Sequence, residues 1–391
     1  MRKNNFSRRQ FITSATLGSL GWMLIDPMSS FGNRIEKLHG FQKSGLLFYI
    51  DSKGKKKPVT TLAEWEIKRR QILERMQQAM GKLPSMRNLP DMNIQIIDEL
   101  KEENYTRQNI SFTVAENEKV PAYLYIPFQK RKPEKLPAVL ALHGTFYDLG
   151  KKAVDGQSSY PNRAYAKELA QRGYVVIAPD YPGFGDLKDY NFKTDRYQSG
   201  TMKSIFDNMR CVDLLQARKD VDPDRIGVIG QSLGGHNAIF TGAFDTRLKV
   251  VVSSSGWTLM GYYNNSYDSS KRSMFGNRLG PWAKDVYMPL LRDKFKFENI
   301  PFDFDEAIAT IAPRAFFSNS PIHDHNFDIE GVRKGIAEVS SVYSFLKAKG
   351  KLEVRYPESQ HDFIPEVRFE AYRFIDKILN HVPIFKIEDK S

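Results

Sequence analysis

The sequence predicts an α/β fold: a doubly wound, mostly parallel sheet with helices on both faces and a small inserted cap. Three observations predict it. From about residue 93, apolar strand-like runs alternate with helical patterns, which favours parallel strands joined by right-handed crossovers. Ala138-Val139-Leu140-Ala141-Leu142 is apolar at every position, as in a strand covered on both faces. A strand ending at Ile229 runs directly through a Gly-rich turn into a helical pattern beginning at Leu233.

The first 32 residues stand apart. Met1-Arg2-Lys3 opens a basic stretch, Ser7-Arg8-Arg9-Gln10-Phe11-Ile12 resembles the twin-arginine export motif, and a mildly apolar run follows from Phe11 to Ile25. That run is too short and too polar for a membrane span but suits the apolar part of an export signal. A periplasmic or secreted protein is expected, touching a membrane only through an uncleaved signal. Residues 33–104 read as an N-terminal arm and helix. The Lys- and Gly-rich 33–60 stretch, with Lys53 to Pro58, looks like an extended arm. Thr61 with Glu64 three residues on forms a capping box for a helix running to Met80, which Gly81 and Pro84 end.

Residues 105–391 form the expected main domain. Ile94–Ile97, Gln108–Val114 and Tyr123–Ile126 read as antiparallel strands around its start. The chain then alternates: helix Tyr165–Arg172, strand Val175–Ala178, helix Ser204–Arg218, strand Arg225–Ile229, helix Leu233–Gly242, strand Lys249–Ser253. Residues 255–303 look like a cap or substrate-binding insertion, rich in aromatics and amides (Trp257, Tyr262, Tyr263, Asn264, Tyr267, Trp282). Arg314–Phe317 and Leu352–Arg355 read as strands flanking a helix around 331–348, and Val367–Leu379 as the last helix.

Composition narrows the function classes. With 41% hydrophobic and 27% charged residues, a 391-residue chain is neither disordered, collagenous nor a polytopic membrane protein. A single cysteine, Cys211, excludes an intramolecular disulfide framework and multi-cysteine metal sites, and its helical setting makes it a core residue. The net charge of +12 invites a nucleic-acid partner, but residues 1–60 hold eleven Lys or Arg against three Asp or Glu. That surplus of eight leaves only about +4 for the rest, and no zinc-finger, helix-turn-helix or RNP pattern accompanies it. No nucleic-acid partner is expected.

Gly230-Gln231-Ser232-Leu233-Gly234 carries the chemistry. It matches G-x-S-x-G at a strand-to-helix junction, where a tight turn pushes the Ser232 hydroxyl out from the sheet edge. The following helix directs free N–H groups and a positive dipole end at any oxyanion formed there. A serine hydroxyl needs a base. In the order serine, acid, histidine, His361 is the candidate, between the last strand and the last helix. His236 and His143 read as structural and His381 as a surface residue. The acid is expected after the penultimate strand, where Asp324 is the first choice and Asp328 the second. His323-Asp324-His325 hints at metal, but adjacent residues of an extended loop point apart, so neither metal nor other cofactor is expected. The oxyanion donors are the backbone N–H groups of Leu233 and Thr145, the latter after the His143-Gly144 turn. The Asp180-to-Gly185 loop, lacking a third glycine for a dinucleotide fingerprint, reads as part of the rim.

In this order (His143-Gly144, Asp180 to Gly185, Gly230 to Gly234, Asp324, His361) the chain resembles the α/β-hydrolase superfamily over roughly 105–382. Within it, the likeness is to exported bacterial dienelactone-hydrolase-like and acetyl-xylan-esterase-like serine esterases. It departs from dienelactone hydrolases in having Ser232 for their cysteine, and from xylan esterases in having Leu233 where Gln is usual. The resemblance implies hydrolysis of a carboxylic ester through a Ser232–His361–Asp324 triad and an acyl-enzyme, on a small-molecule or carbohydrate ester. Two other readings remain: a serine peptidase of the prolyl-oligopeptidase type, for which too few residues precede the domain to build a propeller, and a noncatalytic binding protein on the same fold.

Overall fold

The computed structural model describes residues 45–128, 135–193, 195–263, 286–295 and 299–384. The export-signal reading of residues 1–32 and most of the 255–303 insertion lie outside them.

Among the described residues the sheet has nine strands: β3 (Gln95–Lys101), β4 (Tyr105–Ala115), β5 (Glu118–Pro127), β6 (Leu136–Leu142), β7 (Val175–Pro179), β8 (Val221–Gln231), β9 (Leu248–Ser254), β10 (Ala315–Asn319) and β11 (Leu352–Arg355). Their spatial order is β11-β10-β9-β8-β6-β7-β5-β4-β3. From β6 to β11 all neighbours run parallel, and β7-β5, β5-β4 and β4-β3 are antiparallel. The sheet therefore begins at Gln95, with the strand expected at Ile94–Ile97 running on to Lys101. β4 and β5 run longer than the apolar pattern suggests because they form a hairpin, turned at Glu116-Asn117 with Asn117 at φ 59°.

Apolar side chains of the central strands split between two cores, one on each face. Ala138, Leu140 and Leu142 of β6 join one; Val139 and Ala141 join the other. This is why β6 shows no polar alternation. Helices α3 (Gly200–Ala217), α4 (Leu233–Phe244), α6 (Phe304–Ala309) and α7 (Ile329–Phe345) cover the first face. Helices α2 (Tyr165–Gln171) and α8 (Pro365–Leu379) cover the second. Helix α3 starts four residues before the apolar pattern because the Ser199 hydroxyl accepts the Met202 N–H at 3.0 Å. The short α5 (Pro289–Lys294) precedes α6.

Helix α1 (Leu62–Met80) has the expected capping box, with Thr61 and Glu64 bonding reciprocally. It packs on the first face through Trp65, Ile72, Met76 and Met80, each worth about 2 kcal/mol of buried apolar surface. Arg69 donates to the carbonyls of Thr310 (3.0 Å) and Ala243 (2.8 Å), which ties α1 to the main domain. Residues 45–60 are not the extended arm expected. They form a two-stranded hairpin, β1 (Phe48–Ile50) with β2 (Lys56–Pro58), whose Leu46 and Val59 enter the same core. Asp51 accepts the N–H groups of Lys53 and Lys55, so the lysine run is the solvent side of a tight turn.

The chain leaves β6 toward β7 on one side, then returns to β8 on the other. A crevice opens outside the carboxyl ends of strands where the order reverses in this way. The loop with Thr145 and the turn with Ser232 both lie there.

Candidate active site

Ser232 joins β8 to α4 with φ 57° and ψ −120°, a sparsely populated conformation for a residue with a side chain. Two glycines make it possible. A Cβ on Gly230 would sit 2.1 Å from the Gly234 carbonyl oxygen, and one on Gly234 would sit 2.0 Å from that of Leu142. The Ser232 N–H donates to Ser254 O at 2.9 Å, and its carbonyl accepts from Gly235 and His236. The strain is thus held by β9 on one side and by the first turn of α4 on the other.

Hydrogen bonds continue along this sheet edge. Ser255 N–H donates to Asn319 O (2.8 Å) and Ser320 N–H to Arg355 O (2.8 Å). Beyond the paired strands β10 and β11 the loops stay in register: Ile322 donates to Pro357 O and His323 to Ser359 O. This extended pairing brings Asp324 to His361, whose Nδ1 lies 2.8 Å from Asp324 Oδ2. Asp324 Oδ1 accepts the N–H groups of Asn326 (2.8 Å) and Phe327 (3.2 Å), so a carboxylate only 1% exposed is surrounded by donors. Asp328, the alternative acid, instead caps α7 by accepting the Glu330 N–H at 2.7 Å. The neighbouring histidines diverge: His323 meets Glu358 at the surface (2.8 Å), while the His325 ring lies 5.7 Å from that of His361.

On the other side of Ser232, Phe146 N–H donates to Gly144 O at 2.9 Å, a γ-turn centred on Thr145. Thr145 is exposed, and among the described residues neither its N–H nor that of Leu233 joins a backbone hydrogen bond. His143 locks this turn. Its Nδ1 is 2.7 Å from Gly144 O and its Nε2 accepts Tyr181 N–H at 3.4 Å, which together require the neutral Nδ1–H tautomer. Burial pushes its pKa down, against the opposing pull of Asp180 and the Gly144 carbonyl. Burial likewise pushes His236 down to about 3, where it packs near Phe240 and Phe304. Both histidines have structural settings, as their positions suggest. His381 is not a bare surface residue: its Nε2 lies 2.8 Å from Arg172 O and its ring 4.4 Å from Tyr174.

Two supports were invisible in the sequence. Lys151 and Asp180, both fully buried, pair at 2.7 Å, and Asp180 also accepts the N–H groups of Lys151 (2.7 Å) and Asp186 (3.0 Å). The 180–185 loop is therefore an anchor under the Thr145 loop as well as a rim. On the other side, Asp362, next to His361, accepts from Arg163 (2.5 Å) and Asn162 (2.7 Å), and Asn319 donates to its carbonyl (2.9 Å). These partners are separated by 199 and 200 residues in the chain for Arg163 and Asn162, so no local pattern announces them. Two described aromatics of the insertion pack against the main domain. Trp257 is 1% exposed and donates to Ser318 Oγ at 2.9 Å, and Tyr263 packs edge-on to Phe327. Asn264, Tyr267 and Trp282 lie outside the described residues.

Fold and sheet-edge geometry define an α/β-hydrolase, and the family matches place it in the carboxylic ester hydrolase class. A family model described as acetyl xylan esterase (AXE1) matches residues 81–257, and one described as fungal glucuronyl esterase matches residues 192–346. The Bacillus subtilis (strain 168) protein YtaP, whose name assigns it only to the hydrolases, is 32% identical over 77% of this chain and 96% of its own length. The chain belongs to the same α/β-hydrolase family as YtaP. Among solved structures, a glucuronoyl esterase from Solibacter usitatus superposes with a TM-score of 0.65 at 20% identity, covering 88% of this chain and 99% of that one. One from Caldicellulosiruptor kristjansonii gives 0.61 at 20% identity, covering 88% and 92%. At that identity these two speak for the fold.

Proposed function

We propose that Ser232, His361 and Asp324 are a catalytic triad that cleaves a carbohydrate ester through an acyl-enzyme. The observation that carries the reading is the strained Ser232 turn on the same sheet edge as a buried Asp324 that engages the partly buried His361. Asp324 engages Nδ1 of His361, which leaves Nε2 as the basic nitrogen of the ring. Ser232 Oγ attacks the ester carbonyl while its proton passes to His361 Nε2. The imidazolium so formed is stabilised by Asp324 and then protonates the departing alcohol. The Thr145 and Leu233 N–H groups receive the oxyanion, aided by the N-terminus of α4. Water then attacks the acyl-enzyme, losing its proton to Nε2, and the acid leaves with Ser232 restored.

Support for a sugar ester comes from the acetyl xylan esterase and glucuronyl esterase models that match the chain. An acetyl group on a sugar hydroxyl and a methyl ester of a uronic acid both offer the carbonyl this chemistry needs. An exported location, argued from Arg8 and Arg9, would suit a polymeric substrate. Ser232→Ala should lower turnover of 4-nitrophenyl acetate by a factor on the order of 10⁶. A variant keeping near-native turnover would overturn the triad. Acetate or methanol release from plant polysaccharides by the native protein, and not by Ser232→Ala, tests the substrate class.

A further inference from the structure

Among the described residues, most aromatic side chains near the site are covered, but two are not. Tyr147 and Tyr160 are 65% and 63% exposed. A single exposed tyrosine is ordinary; the supports of this pair are not. Tyr147, two residues past Thr145, stacks face to face on the buried Phe184 (4.9 Å between ring centres, 10° between planes). Its carbonyl accepts the Gly185 N–H at 2.8 Å, which holds the backbone to the anchored 180–185 loop. Tyr160 rests edge-on against Phe146 at 6.0 Å. Phe146 in turn lies against Gly144, so close that a Cβ there would be 3.2 Å from its ring. Two residues past Tyr160, Asn162 donates to Asp362, the neighbour of His361. The ledge thus runs from the turn carrying one candidate oxyanion donor to the loop carrying the candidate base.

We infer that Tyr147 and Tyr160 form a sugar-binding platform that seats a glycosyl ring of the substrate beside Ser232. This rests on the ester-hydrolase reading of the same site and adds to it a subsite outside the 255–303 insertion. A tyrosine face offers flat apolar surface to the C–H face of a sugar ring, its phenol can bond ring hydroxyls, and only two torsions are frozen on binding. Each ring is already backed by another, so little ordering remains to be done when the substrate arrives. The rings stand on the loop whose buried Lys151–Asp180 pair fixes it, which makes the platform rigid with respect to the reacting carbonyl.

The test compares kinetics of the native enzyme, Tyr147→Ala, Tyr160→Ala and the double variant on three substrates. These are 4-nitrophenyl acetate, acetylated xylo-oligosaccharides, and xylo-oligosaccharides bearing methyl glucuronate. For whichever sugar ester is cleaved, the double variant should raise KM about 10-fold, an effect of the size seen for aromatic stacking contacts. Hydrolysis of 4-nitrophenyl acetate should stay within twofold, and Tyr147→Phe with Tyr160→Phe should retain most of the native KM. An equal fall on all three substrates would mean the rings merely fold the loop, and no change on the sugar ester would mean they touch nothing; either overturns the platform. Cleavage of 4-nitrophenyl acetate with neither sugar ester attacked would discard the platform and leave the triad standing. If 4-nitrophenyl acetate turnover survives Ser232→Ala, the triad fails and the platform falls with it.

Discussion

The loops on the two sides of Ser232 are held by opposite means. The Thr145 side hangs on few, fully buried contacts: the Lys151–Asp180 pair and a neutral His143 between Gly144 and Tyr181. The Asp324–His361 side is a continuation of the β10–β11 pairing, backed by partly exposed ionic contacts through Arg163, Asp362 and Asn162. A buried pair is all-or-none, because removing one member strands the other charge out of water. A backbone ladder shares its load over several bonds. The first side is therefore expected to be brittle and the second tolerant, although the second carries the proposed base and acid.

The largest effect should come from the one group on the tolerant side whose chemistry cannot be shared. If Asp324 is the triad acid as proposed, Asp324→Asn should lower turnover by a factor on the order of 10⁴ with little change in stability. Asp328→Ala, which removes a helix cap, should cost about 1 kcal/mol and leave turnover near native. Steady-state kinetics on both variants decide the assignment, and a larger loss of turnover in Asp328→Ala would reverse it. Next in size, Lys151→Met leaves the fully buried Asp180 charge without its cation, with only two backbone N–H groups to hold it, and should cost about 3–5 kcal/mol in denaturant unfolding. Arg163→Ala should cost only about 1 kcal/mol, since Asp362 keeps Asn162 and is 23% exposed to water. Equal costs for the two variants would break the comparison.

Acidification should produce a smaller, graded separation. Burial holds the folded-state pKa of His143 below 6.5, so the unfolded chain binds more protons and stability falls as pH drops below about 6.5. His236 adds to this: with its pKa pushed down to about 3, it removes about 1.4 kcal/mol per pH unit between about 6 and that value. Burial pushes Asp362 up, but Arg163, Asn162 and the Phe363 N–H together outweigh it and hold the carboxyl below its usual range. Its contribution is therefore intact above about pH 4 and lost only as pH falls through the lowered value. Amide exchange at pH 7 and pH 5 should show the 143–151 backbone opening well before 359–364. Simultaneous opening would show that the two sides share one unfolding unit.

Legibility in the sequence followed the range of the forces involved. The β6 strand, the capping box at Thr61 and Glu64, and the strand–turn–helix junction at Ser232 are written in consecutive residues, and each is present as expected. The β1–β2 hairpin was not legible, because its lysines mask a turn whose apolar anchors, Leu46 and Val59, find their partners on other elements. The early start of α3 was hidden because Ser199 caps it ahead of the apolar pattern. The exposed Tyr147 and Tyr160 carry no periodic signal at all, whereas the aromatic-rich insertion drew attention to Trp257, which is core.

By itself the sequence determined the alternation of elements, the doubly wound sheet, and the kinds of side chain available at its carboxyl edge. It did so because hydrophobic period, caps and glycine-permitted turns act between residues a few positions apart. Only the tertiary structure decided that Asp324 rather than Asp328 meets His361, and that Asp180 anchors a loop. It also decided that Arg163 reaches Asp362, the neighbour of His361. Those pairings depend on which parallel strands become neighbours and which charges are buried together. Such long-range closures become favourable only once the core has formed and excluded water.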